Sequence, residues 1–336
     1  MNKDDISRIL LNQAFPDTGK HLEMIETHIS WVILSDHFAF KIKKPVKFSF
    51  LDFSTLELRR KYCYNELALN SRLSPEVYLG VDEIRSDGNR VAIGEGPGDV
   101  IDYAVRMKRL RTNVRMDLML IRKKVKRDHV DRIARILVDF HQTTETIHKK
   151  IDREKIIEDF NDLQSVKPYL REKLGNVVVN LIDRSVECAG KFIHRFGDLM
   201  QLRSDQGFVR DGHGDLHTGN IFLLTRPVIF DCIEFNDDFR QIDVLDEIAF
   251  LCMDLERFGR RDLSHAFLEK YLSETHVLRN EAEGRLFLFF KLYRANVKAK
   301  IQAIKAQNAK SERAMKKHLI SANIYLHLMS DYLAIL

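Results

Sequence analysis

The chain has 336 residues, of which 45% are hydrophobic and 31% charged, and its net charge is +5 at pH 7. These proportions are typical of a folded globular protein and exclude a disordered or fibrous chain. No apolar run approaches the roughly 18–20 residues that a membrane-spanning helix needs, and the four cysteines show neither zinc-ligand spacing nor a CxxC pair. The start of the chain has no apolar leader segment, so we expect a reduced, cytoplasmic protein without a membrane partner.

The N-terminal third predicts a small antiparallel sheet that carries one main helix. Residues 5–15 have the apolar spacing of a short helix. Residues 24–43 are rich in β-branched and aromatic side chains, which predicts two or three strands. Residues 54–72 then return to helical spacing. Further strands are predicted at 77–84, 91–93 and 103–108.

Beyond about residue 111 the pattern is mostly helical. Helices are predicted at 128–148, 153–173, 175–202, 243–257, 262–273, 280–306 and 311–334. Only 220–234 looks extended, as a short hairpin around Thr225-Arg226-Pro227. This order predicts an α+β protein with a β-rich lobe at 1–106, a connection at 107–110 and a larger helical lobe at 111–336.

The strongest chemical signal is the segment HGDLHTGN, residues 213–220, followed by the strand VIFDC that contains Asp231. Phosphoryl transfer needs a base or orienter for the attacking oxygen and oxygen ligands for Mg²⁺ on the ATP phosphates. Asp215 suits the first role, and the side-chain oxygens of Asn220 and Asp231 suit the hard cation. The step from Asp215 to Asn220 equals that between the base and the metal-binding Asn of the protein-kinase catalytic loop.

HGDLHTGNIF with IFDC resembles the signature of the aminoglycoside phosphotransferase and choline-kinase-like enzymes, in an uncharacterised bacterial branch. The resemblance implies a bilobal protein-kinase-like fold and ATP and Mg²⁺ as cofactors. It implies Asp215 as the catalytic base and Asn220 and Asp231 as metal ligands. His213, which we group with the catalytic residues, would be mainly a structural member of the loop.

A cation for the phosphates is predicted on the strand AFKIKK, residues 39–44. Protein kinases hold a strand lysine with a helix glutamate, and Lys41 followed by Glu66 reproduces that order. Lys43 lies two residues on and therefore on the same face of the strand, so it is a rival to Lys41. Glu57 is the alternative to Glu66.

The loop that covers the phosphates departs from the protein-kinase pattern. No GxGxxG precedes Lys41, so we expect Ser30 or His28 to replace glycine backbone by a side-chain contact. By resemblance, the backbone around Met107 and Arg109 would read adenine at the hinge between the lobes.

Two groups of charged residues follow the metal-binding Asp231. The spacing of Asp243 and Glu247 resembles that of the acidic residues that brace the catalytic loop in this family. Glu234 is a candidate substrate contact because it lies three residues beyond Asp231. For Asp237 and Asp238, which follow it, a solvated acidic turn is the alternative.

Residues 285–317 contain ten basic groups and one acid, which gives this segment +9 and leaves −4 on the rest of the chain. Lys291, Arg294 and Lys298 fall on one helix face, beside an apolar stripe. This row predicts either a cleft wall that selects an anionic or sugar-like acceptor, through Arg294 and Lys298, or a solvated helix face. A nucleic-acid partner is a less favoured interpretation.

The sequence thus predicts ATP-dependent phosphorylation of a hydroxyl on a small-molecule substrate. A protein Ser/Thr kinase is disfavoured because no A-P-E segment follows Asp231. A nucleotide-binding pseudokinase that acts through a partner is opposed by the complete set of Lys41, Asp215, Asn220 and Asp231. The acceptor and the oligomeric state are left open by the sequence.

Overall fold

The computed structural model describes residues 1–17 and 22–336. By their internal contacts these residues form two units. Unit 1 consists of Met1–Leu118 and Asn220–Arg240, and unit 2 of Met119–Gly219 and Gln241–Leu336. The predicted α+β class is confirmed, whereas the connection at 107–110 stays a prediction.

The strands of the described residues, in chain order, are β1 (Glu23–Glu26), β2 (Ser30–Leu34), β3 (Phe38–Lys43), β4 (Lys47–Phe48), β5 (Leu51–Asp52), β6 (Tyr78–Ser86), β7 (Val91–Ile93), β8 (Asp99–Lys108), β9 (Val209–Asp211), β10 (Ile221–Phe222), β11 (Val228–Ile229) and β12 (Gln241–Asp243). The α-helices are α1 (Lys3–Asn12), α2 (Leu56–Ser71), α3 (Met116–Ile121), α4 (Arg127–Thr143), α5 (Arg153–Asn161), α6 (Lys167–Leu174), α7 (Asn176–Asp205), α8 (Asp237–Arg240), α9 (Val244–Arg257), α10 (Arg261–Ser273), α11 (Glu281–Gln307) and α12 (Glu312–Leu333).

Unit 1 is built on an antiparallel sheet with the strand order β1-β2-β3-β8-β6-β7. Side chains alternate between the two faces of a strand, and β3 shows the consequence. Its Phe40 and Ile42 pack with Ile6 and Ile9 of α1, whereas Ala39 packs on the opposite face with Cys63 of α2. Lys41 and Lys43 share the Ala39 face and therefore project on the side of α2.

The β10–β11 hairpin belongs to unit 1 because its apolar side chains complete the core beside α2. Phe222 and Val228 pack with Val77, Tyr78 and Val105 in one buried cluster. Antiparallel pairing of Ile221 with Ile229 closes the hairpin. The sequence assigned this segment to the helical lobe by chain order alone.

Unit 2 is helical around one large core to which α7, α9, α11 and α12 contribute. The predicted helix 153–173 is wrong as a single element, because α5 ends at Asn161 and α6 begins at Lys167. Pro168, at the start of α6, lacks the N–H that a continuous helix would need. The short strands β9 and β12 pair in antiparallel fashion, and neither was predicted. Within the described residues, no helix is long and apolar enough to cross a bilayer.

Candidate active site

Two lysines of β3 share one glutamate of α2. Nζ of Lys41 lies 2.8 Å from Oε1 of Glu66 and 2.7 Å from Oδ1 of Asp231. Nζ of Lys43 lies 2.7 Å from Oε2 of Glu66 and also pairs with Glu234. The structure therefore brings together the residues that the sequence proposed as rivals, in one network within unit 1.

The two ends of this network differ in exposure. The Lys43 side chain is 1% exposed, whereas that of Lys41 is 15% exposed and that of its partner Asp231 is 44% exposed. Lys43 is enclosed between two carboxylates, so it acts as an internal brace. Lys41 lies at the accessible end, where a ligand can reach the Lys41–Asp231 pair.

The charges of this network stabilise one another against the cost of burial. Burial opposes the charged form of Lys41, but Asp231 and then Glu66 raise its pKa well above the usual value. Burial likewise disfavours the Glu66 carboxylate, yet Lys41 and Lys43 lower its pKa to about 2. Both groups are therefore charged at neutral pH.

The position of Glu234 does not fit its predicted role as a substrate contact. Its side chain is buried and paired with Lys43. Burial raises the pKa of this carboxyl, and Lys43 opposes that effect. Glu234 is therefore part of the internal network. Its position three residues after Asp231 in the sequence did not reveal this pairing.

The hairpin β10–β11 brings the two proposed metal ligands to the same end of unit 1. Asn220 immediately precedes β10, and its carbonyl accepts a hydrogen bond from Phe230, the residue before Asp231, at 3.1 Å. Asp231 has a φ of 64°, a left-handed conformation that is uncommon for a residue with a side chain. Its N–H donates to Oη of Tyr78 at 3.1 Å, a contact that holds the unusual backbone and that the sequence did not predict.

The predicted Mg²⁺ ligands are one carboxylate, that of Asp231, and one amide oxygen, that of Asn220. Among the described residues, no group of three or more His, Cys, Asp or Glu side chains is placed to hold a metal ion. Mg²⁺ is usually held by one or two carboxylates together with substrate phosphates and water. The exposed carboxylate of Asp231 and the amide oxygen of Asn220 are donors of that kind.

The predicted phosphate contact by Ser30 and the predicted adenine contact around Met107 and Arg109 stay predictions. The burial and hydrogen bonds of these residues limit which of their atoms could contact a ligand. Ser30 is 1% exposed, and its Oγ has no hydrogen-bond partner among the residues that the structure describes. The turn between β1 and β2 is held by Thr27, whose Oγ1 accepts the N–H of Ser30 at 2.9 Å. Met107 is a buried strand residue. The N–H of Arg109 donates to His37 at 2.8 Å, so that amide is already engaged.

In unit 2, the carboxylate of Asp215 is held from both sides. Nζ of Lys298, on α11, lies 3.3 Å from Oδ1, and Nε2 of His217 lies 3.2 Å from Oδ2. Nδ1 of His217 accepts the N–H of Gly219 at 3.0 Å, which leaves Nε2 as the nitrogen that donates to Asp215. The side chain of Asp215 is 34% exposed.

Electrostatics keeps Asp215 ionised. Burial favours the neutral acid, but Lys298 and then His217 hold the pKa of the Asp215 carboxyl well below its usual range. Asp215 is therefore a carboxylate throughout the neutral range and accepts hydrogen bonds in a fixed orientation.

Glu247, on α9, fastens the backbone of the loop that carries Asp215. Its Oε1 accepts the N–H groups of His213 and Gly214 at 2.6 and 2.7 Å. Its Oε2 lies 2.6 Å from Nε2 of His141. Burial raises the pKa of Glu247, but the hydrogen bond from His141 and the charges around it lower that pKa to about 2. Asp243, which the resemblance also assigned to bracing the loop, instead caps α9 by accepting the N–H of Leu245.

His213 is a structural residue of this loop. It is fully buried, and its Nδ1 accepts the N–H of Asp215 at 3.2 Å. A side chain in that position shapes the turn that presents Asp215. Its grouping with the catalytic residues is therefore not supported, whereas the structural role implied by the resemblance fits the geometry.

Arg294 also braces the loop, which does not fit its predicted contact with the acceptor. Its guanidinium binds both carboxylate oxygens of Asp246, at 2.6 and 2.8 Å, and donates to the carbonyl of Gly214 at 3.3 Å. A buried bidentate pair of this kind fixes geometry. Farther along the loop, Asp254 accepts from the N–H and the hydroxyl of Thr218 at 2.9 and 2.5 Å.

Solved structures with a similar fold cover nearly the whole chain. A choline/ethanolamine kinase family protein from Mesorhizobium loti aligns with a TM-score of 0.54 and 12% identity over 98% of both chains. A choline kinase from Cryptosporidium parvum aligns at 0.52 and 11%, over 98% of this chain and 96% of that one. An AMP-bound spectinomycin phosphotransferase aligns at 0.52 and 11%, over 97% of each. The chain has a protein-kinase-like fold.

Sequence relatives of this chain are longer than the chain itself. It is 32% identical over 334 residues to the uncharacterized proteins Rv2004c of Mycobacterium tuberculosis and Mb2027c of Mycobacterium bovis. The alignment covers 96% of this chain and 63% of each relative. No protein-family model matches the chain.

Several residues of the candidate site were missed by sequence reasoning. Three of them contact residues that are far away in the chain, and no local motif predicts such contacts: Asp246, Asp254 and Tyr78. His217 was given no role by the sequence. Its spacing of two residues from Asp215 was the available signal, because a loop turn then places both side chains together.

Proposed function

We propose that the protein is a Mg²⁺- and ATP-dependent phosphotransferase that phosphorylates a hydroxyl of a small molecule. The observation that carries this proposal is the Lys41–Glu66 pair with Asp231 2.7 Å from the same ammonium. A strand lysine, a helix glutamate and a metal-binding aspartate are the phosphate-handling parts of protein kinases. The similar fold of choline kinases and of a spectinomycin phosphotransferase supports the assignment.

In unit 1, Lys41 is assigned to the ATP phosphates and Glu66 to its orientation. Lys43 and Glu234 keep Glu66 in place from the buried side. Asp231 and Asn220 would hold Mg²⁺, which neutralises charge on the phosphates when it is bound. Asp231 is paired with Lys41, and in this proposal the phosphates take over part of that pairing.

In unit 2, Asp215 is assigned to the acceptor hydroxyl. The hydroxyl oxygen attacks the γ-phosphorus, the bond to the β,γ-bridging oxygen breaks, ADP leaves, and the hydroxyl proton passes to Asp215. A carboxylate with a low pKa is a weak base, but a loose transition state asks mainly for orientation of the nucleophile. Glu247 and Arg294 supply it by fixing the loop backbone, and Lys298 and His217 by fixing the carboxylate.

The test is a screen of the full chain with ATP against sugars, amino alcohols and phosphorylated metabolites, with and without excess EDTA. We expect ADP formation that depends on Mg²⁺ and on the acceptor, matched by a product that is heavier by one phosphoryl group. ATP binding without turnover on any acceptor would favour a pseudokinase. Transfer to an added protein, but to none of the small molecules, would favour a protein kinase.

A further inference from the structure

Ion pairing divides the basic segment 285–317 into two parts. Six of its ten basic side chains are paired with carboxylates: Arg285 with Glu281, Lys291 with Glu256, Arg294 with Asp246, Lys298 with Asp215, Lys300 with Asp162 and Lys316 with Glu312. Lys305, Lys310, Arg313 and Lys317 have no ion pair within the described part of the chain. The positive charge that needs a counter-ion is therefore concentrated where α11 ends and α12 begins.

Lys305 and Lys317 lie on either side of His318, where these two helices meet. Nδ1 of His318 lies 2.8 Å from Oε1 of Gln302, one turn before Lys305 on α11. Lys305 follows Gln302 by three residues and Lys317 precedes His318 by one, so this contact brings both lysines to the same junction of α11 and α12. In agreement, burial, then Lys305, then Lys317 lower the pKa of His318. On α12, a surface cavity of about 510 Å³ is lined by Arg313, Lys316 and Lys317 together with Glu312, which pairs with Lys316, and Ile320.

Lys305 lies on the face of α11 that carries Lys298, which contacts the proposed catalytic base. Burial and then Lys298 lower the pKa of Lys305, while Asp215 acts in the opposite direction. Lys305 follows Lys298 by seven residues, which is two helical turns on the same face and about 10 Å along the axis. That span is comparable to the length of a small metabolite with several carbon atoms.

We infer that the acceptor carries a phosphate or carboxylate group, which Lys305 and Lys317 bind while its hydroxyl lies at Asp215. This inference rests on the proposed function and names its substrate class. A cationic acceptor would meet repulsion from both ammonium groups, whereas an anion supplies the missing counter-charge. A nucleic-acid partner is disfavoured because most basic side chains of the segment 285–317 are already paired with carboxylates. The unpaired cations span only a few helical turns.

Binding of inorganic phosphate tests the anion site independently of turnover. The full chain is titrated with phosphate by calorimetry at constant ionic strength, as wild type and as Lys305→Gln and Lys317→Gln. We expect saturable binding that each substitution weakens about tenfold, the loss of one charge-assisted contact. Lys300→Gln is the matched control because Lys300 lies on α11 but pairs with Asp162, and it should bind like the wild type.

A second experiment compares acceptors that share one carbon skeleton but differ in charge. The panel contains a hexose, its 6-phosphate, the corresponding uronate and the amino sugar, together with any acceptor that the metabolite screen finds. Lys305→Gln should raise KM for anionic acceptors about tenfold with little change in kcat. A stronger effect on the phosphate than on the carboxylate form would identify phosphate as the recognised group.

The outcomes separate the two proposals. Phosphate binding that is equal in wild type and in both Gln variants overturns the anion site, even in an active kinase. An acceptor that is neutral or cationic overturns it as well, and so does oligonucleotide binding with a steep salt dependence in place of phosphate binding. If no acceptor is phosphorylated but phosphate binding depends on Lys305, the proposed function fails while the anion site stands.

Discussion

Lys298 and Asp215 are 83 residues apart in the sequence, yet the Lys298 ammonium lies 3.3 Å from Oδ1 of Asp215. The ammonium also lies 4.9 Å from the centre of the Phe250 ring, which holds it in place. Helix α11 thus reaches the loop of the proposed base and determines its charge state. The basic segment 285–317 is thus divided between internal ion pairs of this kind and the unpaired cations farther along the chain.

Substitution of Lys298 changes the pH dependence of the reaction. Lys298 is the strongest influence that holds the pKa of Asp215 below its usual value. Lys298→Met leaves burial less opposed, so the pKa rises and the acid limb of kcat/KM moves to higher pH. The measurement is a pH–rate profile beside Lys300→Met, which should keep the wild-type limb. An acid limb that stays in place or moves to lower pH would contradict the assignment.

Substitution of Lys41 should mainly lower activity, whereas substitution of Lys43 should mainly lower stability. Lys41→Met removes the accessible cation at the phosphates, so kcat/KM for ATP should fall on the order of a hundredfold with little loss of stability. Lys43→Met leaves Glu66 and Glu234 facing each other without their shared cation, and should cost about 3 kcal/mol or more of stability. Chemical denaturation and steady-state kinetics on both variants test this contrast. The reverse pattern would assign the phosphates to Lys43.

Glu247 should make stability depend on pH in the acid range. Its pKa falls from 4.5 to about 2 in the folded chain. The stabilisation is complete above the unfolded value and is lost as the pH falls toward the folded one, to a total of about 3 kcal/mol. Glu247→Gln should therefore lower the free energy of unfolding at pH 7 and flatten its decline between pH 4.5 and 2. Glu312→Gln, which removes an exposed pair, should alter both by less than about 0.5 kcal/mol.

Local patterns in the sequence were sufficient for the fold class and for part of the site. The alternation along β3 placed Lys41 and Lys43 on one face, and the order of strand and helix identified Glu66. The loop HGDLHTGN predicted Asp215 as the base because its spacing is fixed within eight residues, and that role stays a prediction. The structural comparisons confirm the predicted resemblance in fold.

Long-range pairing could not be predicted from the sequence. Arg294 and Lys298 looked alike on one helix face, but Asp246 binds the first and Asp215 the second. Glu234 looked like a site residue until its pairing with Lys43 placed it in the interior. Which carboxylate meets which cation depends on how helices pack, and a spacing rule along one element carries no information about that.

The central claim is tested most directly by Asp215→Asn in the full chain, with ATP, Mg²⁺ and an acceptor found by the screen. The substitution keeps the size of the side chain but removes the carboxylate that receives the hydroxyl proton. We expect kcat to fall at least about a hundredfold, while the affinity for ATP, measured by calorimetry, stays within about twofold of the wild type. Undiminished kcat in Asp215→Asn would contradict the account.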